Sequence, residues 1–232
     1  MLSAKMEDLI GKLLLVGVCG WLLVLHCLGL MQQMASPERP SNFGLMLLAQ
    51  SLSLFFVAMI IALTIRRLPP RNAATGWEPR IAAVGGTFLL MLLIWLPAGT
   101  PPTSALVVAN LLILCGTAAS IWSLHFLGRS FAVMAAAREL VTGGPYGRVR
   151  HPLYFAEGIT AIGIVLMHWN WVATLVGVTQ MLLQFRRMQH EERVLRAAFP
   201  EYEAYARQVP MILPRLGRAR AISLPAPLVE PA

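Results

Sequence analysis

Charge is the scarcest commodity in this 232-residue chain. Only 13% of residues are charged, about half the share usual for a globular protein, while 57% are hydrophobic. That imbalance excludes an ordinary soluble domain, and the apolar residues gather in runs long enough to cross a bilayer. A span needs about 20 consecutive apolar residues, because a helix rises about 1.5 Å per residue through about 30 Å of hydrocarbon. Cysteine is nearly absent, at three residues. Cys19, Cys27 and Cys115 all lie inside apolar runs, which reads as small buried hydrophobes and excludes a disulfide framework and a zinc site. Paired His or Cys at metal-ligand spacing are missing, so no metal is expected. No G-x-G-x-x-G follows a strand, which excludes a Rossmann nucleotide domain.

Carboxylates are scarcer than cations, with 11 Asp and Glu against 19 Lys and Arg, for a net charge of +8. The arginines sit between or just after apolar runs without interleaved aromatics. That is a pattern of membrane orientation and argues against nucleic acid. Four long runs stand out, at residues 9–31, 44–65, 81–97 and 104–127. The first is too long for a signal-peptide core and is followed by further spans, so it is read as a mature helix. A fifth apolar stretch, 153–186, is broken at His168-Trp169-Asn170-Trp171. It reads as a helical hairpin with two short arms and an interfacial turn.

Basic residues favour the cytoplasmic side. Arg66, Arg67, Arg71 and Arg80 follow the second run; Arg129, Arg138, Arg148 and Arg150 follow the fourth; Arg186, Arg187, Arg193 and Arg196 follow the hairpin. Gly99 to Thr103 carries no charge. Six crossings with both termini cytoplasmic satisfy every link. The expected architecture is an all-α polytopic membrane protein of the bacterial inner membrane or an equivalent bilayer. It divides into residues 1–103 with three spans, a core at 104–213, and a Pro-, Ala- and Arg-rich flexible end at 214–232.

Polar groups that break the membrane pattern mark function. The densest are in L-V-T-G-G-P-Y-G-R-V-R-H-P-L-Y, Leu140 to Tyr154. Gly143, Gly144 and Pro145 predict a tight turn, and Pro152 the start of a helix. Arg148, Arg150 and His151 then lie beside a helix N-terminus, a setting suited to an anionic group. Tyr154 and Glu157 share a helix face. Gln180, Gln184, Arg187 and Glu191 form one stripe that leaves the membrane at Glu191-Glu192. A turn centred on Asn170 pairs residues whose numbers sum to about 339, setting Tyr154 near Phe185 and His151 near Met188. The R-H-P corner and the Glu pair should therefore meet at one depth. His26 and Asn110 read as satisfied core residues, and His125 as either packing or a cavity residue.

The run Gly144 to Tyr154, a short hairpin, then E-E-R-V-L-x-x-x-F-x-x-Y-x-x-Y-x-x-x-V-P (Glu191 to Pro210) resembles the isoprenylcysteine carboxyl methyltransferase family, whose patterns phospholipid N-methyltransferases share. The resemblance covers roughly residues 120–215. It implies a membrane-embedded methyltransferase with S-adenosylmethionine in a cytosol-facing pocket and a lipophilic or small acceptor, most readily a carboxylate. Gly144, Pro145, Tyr146, His151, Tyr154, Glu191 and Glu192 match cofactor-contacting positions. Arg187 resembles an arginine that holds the substrate carboxylate, with Arg150 as a second candidate; Glu157 and Gln184, from the polar faces of the hairpin, are candidate substrate residues. Phe199, Tyr202 and Tyr205 should seat the tail over the pocket. Many relatives have a small residue after R-H-P-x-Y, where this chain has Phe155-Ala156-Glu157. A carboxylate acceptor needs only a cation beside it, whereas an amine or thiol must shed a proton. Three readings stay open: the methyltransferase, with a carboxylate, phospholipid amine or thiol acceptor; a steroid-reductase-like NADPH enzyme; and a non-catalytic membrane component of a resistance or transport system.

Overall fold

The computed structural model describes residues 4–214, apart from residues 38, 40 and 41. The end predicted as flexible lies outside the described residues from position 215 onward. Helix α1 spans Ala4–Ala35, α2 Phe43–Arg66, α3 Trp77–Phe88, α4 Thr103–Leu127, α5 Pro152–His168, α6 Trp171–Ala198 and α7 Tyr202–Gln208. Among the described residues, four segments are long and apolar enough to cross a membrane: Asp8–Ala35, Phe43–Arg66, Trp77–Trp95 and Thr103–Ser130. They coincide with the four predicted runs. Leu13, Leu14, Trp21 and Phe55 of the first two point outward, as lipid-facing side chains should.

The third crossing is not one regular helix. After Phe88 it tightens into a 3-10 helix, Leu89–Trp95. The cause is on α6: the Gln180 side chain accepts the Leu90 N–H at 2.8 Å, drawing it out of the α-helical ladder. Just before, Gly85 and Gly86 let the two backbones close up. A Cβ at Gly86 would stand 2.9 Å from the Gln184 backbone nitrogen.

The hairpin differs from its prediction in two ways. Its second arm is not short: α6 continues unbroken through Arg186 and Arg187 to Ala198, so its last dozen residues rise about 18 Å beyond the apolar half. Nor do the arms chiefly pack on each other, because α5 packs on α4 and α6 on α3. Small residues decide the first partnership. Gly116 of α4 lies against Thr160 and the Ala156 carbonyl, and Gly163 of α5 lies against the Ala109 carbonyl. No G-x-x-x-G signals it, since the glycines sit on different helices. The turn follows its predicted place. Asn170 caps α6 by accepting the Ala173 N–H at 2.7 Å, and Trp169 adopts a left-handed φ of 45°.

The links sort into two ends. At the uncharged end, the Gly99 N–H donates to the His168 carbonyl at 2.7 Å and Asn170 Nδ2 to the Pro97 carbonyl at 2.9 Å. At the basic end, Asn72–Ala73 pairs antiparallel with Ala136–Ala137, a two-residue ladder that the all-α expectation did not include. Leu68 N–H donates to the Arg129 carbonyl and Arg129 Nε to the Arg66 carbonyl, knitting the arginine-rich links together. Two cores result. One, with Leu15, Val57, Leu124, Phe131 and Leu153, lies among the helices; the other, with Val194, Phe199, Tyr202, Tyr205 and Val209, seats α7 on α6 at the basic end. His26 and Asn110 satisfy themselves on their own helices, at the Leu22 and Leu106 carbonyls.

Candidate functional site

Where α5 begins and α6 leaves its apolar half, the R-H-P corner meets the glutamate pair as predicted, but at a shifted register. His151 Nε2 lies 3.0 Å from Glu192 Oε1, and the Tyr154 hydroxyl donates to Glu191 Oε2 at 2.7 Å. Tyr154 thus faces Glu191 and Arg187 where Phe185 was expected. The reason is that the arms diverge onto different partners and do not run as a close antiparallel pair.

Glu192 is the most heavily used group. Arg150 Nε and Nη2 donate to its two oxygens at 2.7 and 3.2 Å, Tyr202 donates to Oε1 at 2.8 Å, and Arg196 Nη2 lies 3.0 Å from Oε2. Burial alone would raise the Glu192 carboxyl, but the hydrogen bonds from His151, Arg150 and Tyr202 and the Arg150 charge outweigh it. They hold it down at about 2. Arg150 spends its remaining nitrogen, Nη1, on the Ala206 and Val209 carbonyls at 2.9 and 2.7 Å. The Arg150 and His151 N–H groups donate to the Pro210 and Met211 carbonyls. This corner is therefore a clamp that fastens the chain after α7 onto the start of α5. The buried phenols of Tyr202 and Tyr205 are pushed upward by burial and stay donors, the latter to the Tyr146 carbonyl at 2.7 Å. Phe199, Tyr202 and Tyr205 seat the tail as predicted, with Arg71 over the Phe199 ring at 5.5 Å.

Beside the clamp runs a cleft of about 650 Å³ counting its mouth. It is narrow. Of the predicted residues, Tyr146, Arg150, His151, Tyr154, Arg187 and Glu191 line it. Gly144 and Pro145 lie behind it in a 3-10 turn that the positive φ of Gly144, 59°, allows. Glu192 stands in the clamp, and His125 packs edge-on against Phe126.

Arg187 is buried, with its guanidinium 4.8 Å above the Tyr154 ring. Nη1 donates to Thr87 Oγ1 at 2.9 Å and Nη2 to the Ala132 carbonyl at 3.0 Å, while Nε has no partner among the described residues. One turn deeper, Gln184 Nε2 donates to Glu157 Oε2 at 2.7 Å, so these two satisfy each other. The opposite wall comes from the link after α4, Leu127 to Val141, including Ser130, Phe131, Ala132 and Arg138. The sequence signalled this wall only through Arg138, which reads there as an orienting charge.

The phospholipid methyltransferase family profile matches residues 104–202, which hold α4, the R-H-P corner, the hairpin, the glutamate pair and Tyr202. The nickel-cobalt-cadmium resistance protein NccN of Alcaligenes xylosoxydans is 32% identical over 51% of this chain and 54% of its own length. The cobalt-zinc-cadmium resistance protein CzcN of Cupriavidus metallidurans is 38% identical over 36% of this chain and 39% of its own. The protein-S-isoprenylcysteine O-methyltransferase of Schizosaccharomyces pombe is 36% identical over 38% and 40%. The chain spans roughly half or less of the curated relatives it matches. Residues 104–202 are thus similar to the phospholipid methyltransferase family, a likeness that the isoprenylcysteine methyltransferase relative supports.

Proposed function

We propose that the protein is an S-adenosylmethionine-dependent methyltransferase whose cofactor occupies the cleft and whose lipophilic acceptor arrives from the bilayer. The observation that carries this reading is the state of the cleft wall. Glu191 offers a carboxylate with one partner, Tyr154 and Tyr146 offer ring surface, and buried donors on Ser130, Arg138 and Arg187 stand without partners. Buried polar atoms left unsatisfied are costly and fit a ligand with acceptor groups. A zwitterion carrying a cationic centre suits this mixed wall, although the narrow interior has to widen to take it.

The cofactor supplies a methyl already activated on sulfonium sulfur, so the protein's task is to align a nucleophile and exclude water. Glu191, oriented by the Tyr154 hydroxyl, presents negative charge to a cationic ligand. The clamp of Arg150, His151 and Glu192 fixes the wall that carries Tyr154. Arg150 thereby holds architecture, since every one of its nitrogens is already engaged. Arg187 is the cation that faces an acceptor carboxylate, the acceptor of isoprenylcysteine type. A phospholipid amine or thiol acceptor instead requires a proton acceptor, for which Glu157, paired with Gln184 one turn deeper than Arg187, is the candidate. This reading takes six crossings: the four long spans, the third partly 3-10, with α5 and the apolar half of α6 as the last two. Gathering the basic links at one end supports placing that end, the cleft and both termini on the cytoplasmic side.

A second reading takes its support from the names of two relatives, the metal-resistance proteins: here the charged corner only braces the hairpin of a non-catalytic membrane component. Calorimetric titration of the detergent-solubilised chain with S-adenosylmethionine and, separately, NADPH separates the readings. Saturable binding of the first alone is the expected result. NADPH binding alone would favour a reductase, and binding of neither the non-catalytic component.

A further inference from the structure

Arginines are expensive to bury, and those of this protein are not treated alike. Arg150 has every nitrogen satisfied. Arg138, with a side chain only 2% exposed, has not. Its Nη1 donates to the Leu68 carbonyl and its Nη2 to Asp8 Oδ1 at 3.0 Å, while Nε is buried without a partner among the described residues. The same Asp8 oxygen also serves Arg67, whose Nη2 lies 2.9 Å away and whose Nε is likewise unpartnered. Two guanidiniums therefore share one carboxylate. The cluster keeps an excess positive charge in a place shielded from water, where a compensating anion is strongly favoured.

Ser130 adds a second, independent donor. Its Oγ is buried and has no partner among the described residues. Ser130 follows Arg129, whose carbonyl accepts the Leu68 N–H at 2.9 Å, while Arg138 donates to the Leu68 carbonyl. Both residues are thus moored to the two faces of one peptide residue, and both line the cleft. Glu139 lines it too, but it is exposed, so water screens its charge. Arg187, Glu191 and Tyr154 belong to the wall built by α5 and α6. The link after α4 supplies the Arg138–Ser130 part.

We propose that Arg138 Nε and Ser130 Oγ form an anion subsite of the cleft that takes a carboxylate of the bound ligand, supplied either by the α-carboxylate of S-adenosylmethionine or by an acidic acceptor. The proposal rests on the cofactor reading above. It also gives the first helices a part in the site. Asp8 on α1 and Arg67 after α2, both outside the family-matched region, hold Arg138 in place and set the charge around it. Asp8 is a positioning residue: it reaches the ligand only through Arg138.

The test uses the full chain in detergent and reads affinity calorimetrically for two matched pairs: S-adenosylmethionine against its decarboxylated analogue, and N-acetyl-S-farnesylcysteine against its methyl ester. Each pair differs by one negative charge. Arg138→Gln should weaken the carboxylate-bearing member of one pair about tenfold or more, the loss of one charge-assisted hydrogen bond, and leave its carboxylate-free counterpart unchanged. Loss confined to S-adenosylmethionine assigns the subsite to the cofactor; loss confined to the farnesylcysteine assigns it to the acceptor. Ser130→Ala removes one oxygen and little packing, and should show the same selectivity with a smaller loss, so a folding defect in the arginine variant does not blunt the test. Arg138→Lys should recover part of the selectivity. Equal losses within both pairs, or none, overturn the subsite. A wild-type chain that fails to bind S-adenosylmethionine overturns the cofactor reading, and the farnesylcysteine pair then decides the subsite.

Discussion

Glu192→Gln puts the greatest strain on this account of the clamp. The wild-type carboxylate accepts from Arg150 twice, from His151 and from Tyr202, and pairs with Arg196. An amide keeps one acceptor oxygen and turns an NH₂ towards guanidinium donors. Removing one partner of a buried ion pair typically costs about 3–5 kcal/mol. The proton affinity gives an independent figure. Lowering the carboxyl from 4.5 to about 2 corresponds to about 3 kcal/mol, and nearer 2 once screening at the aqueous face is allowed for. Taking about 2–3 kcal/mol, a chain of this size should lose about 5–10 °C in melting temperature. The sign of the pH effect follows from the lowered value. The stabilisation is complete above about 4.5, the unfolded carboxyl's range, and fades as pH falls towards 2. Thermal unfolding in detergent, followed by tryptophan emission between pH 7 and 3, should show the wild type losing stability on its acid limb and the variant following a flatter curve. A variant that melts within 1 °C of wild type at pH 7, with an unchanged acid limb, would refute the clamp.

Other substitutions probe the neighbouring groups. Gly144→Ala places a Cβ at a φ of 59° and against the Phe126 ring, so it should destabilise by about 1–3 kcal/mol, read in the same melt. Gly116→Ala should part α4 from α5, because the added carbon meets backbone at Ala156 and Thr160. It should lower both melting temperature and cofactor affinity, whereas Gly11→Ala, in open space, should lower neither. Arg187→Lys keeps the charge but loses the flat contact with Tyr154 and the reach to both Thr87 and Ala132. It should cut kcat/KM about tenfold or more and also lower the melting temperature by a few degrees, the cost of the lost buried hydrogen bonds. Glu157→Gln separates the acceptor classes in a methyl-transfer assay: a carboxylate acceptor should be used as well as before, and an amine or thiol acceptor about 100-fold less.

What could be read from the sequence was whatever depends on local composition. Long apolar runs gave the four long spans, and the charge of each link grouped the links by end. Pro152 and Asn170 fixed the start of α5 and the start of α6 because a proline and an N-cap act within one turn. Hairpin geometry brought the R-H-P corner to the glutamate pair, but it set Tyr154 beside Phe185 and His151 beside Met188, where the structure has Glu191 and Glu192. The rest depends on contacts between distant segments. Gln180 reaching Leu90 converts half of the third crossing to a 3-10 helix, and Gly116 and Gly163 choose α4 as the partner of α5. The second wall of the cleft escaped for the same reason. Arg138 reads as one more orienting cation until Asp8, 130 residues away in the chain, is seen beside it.

The most direct trial of the central claim is transfer of labelled methyl from S-adenosylmethionine, by the purified chain, into a total lipid and small-molecule extract. The account predicts label in one apolar product class and its loss in Glu191→Gln and Tyr154→Phe, two variants that disturb the same hydrogen bond. Cofactor that binds without any labelled product, or label that persists undiminished in both variants, would contradict it.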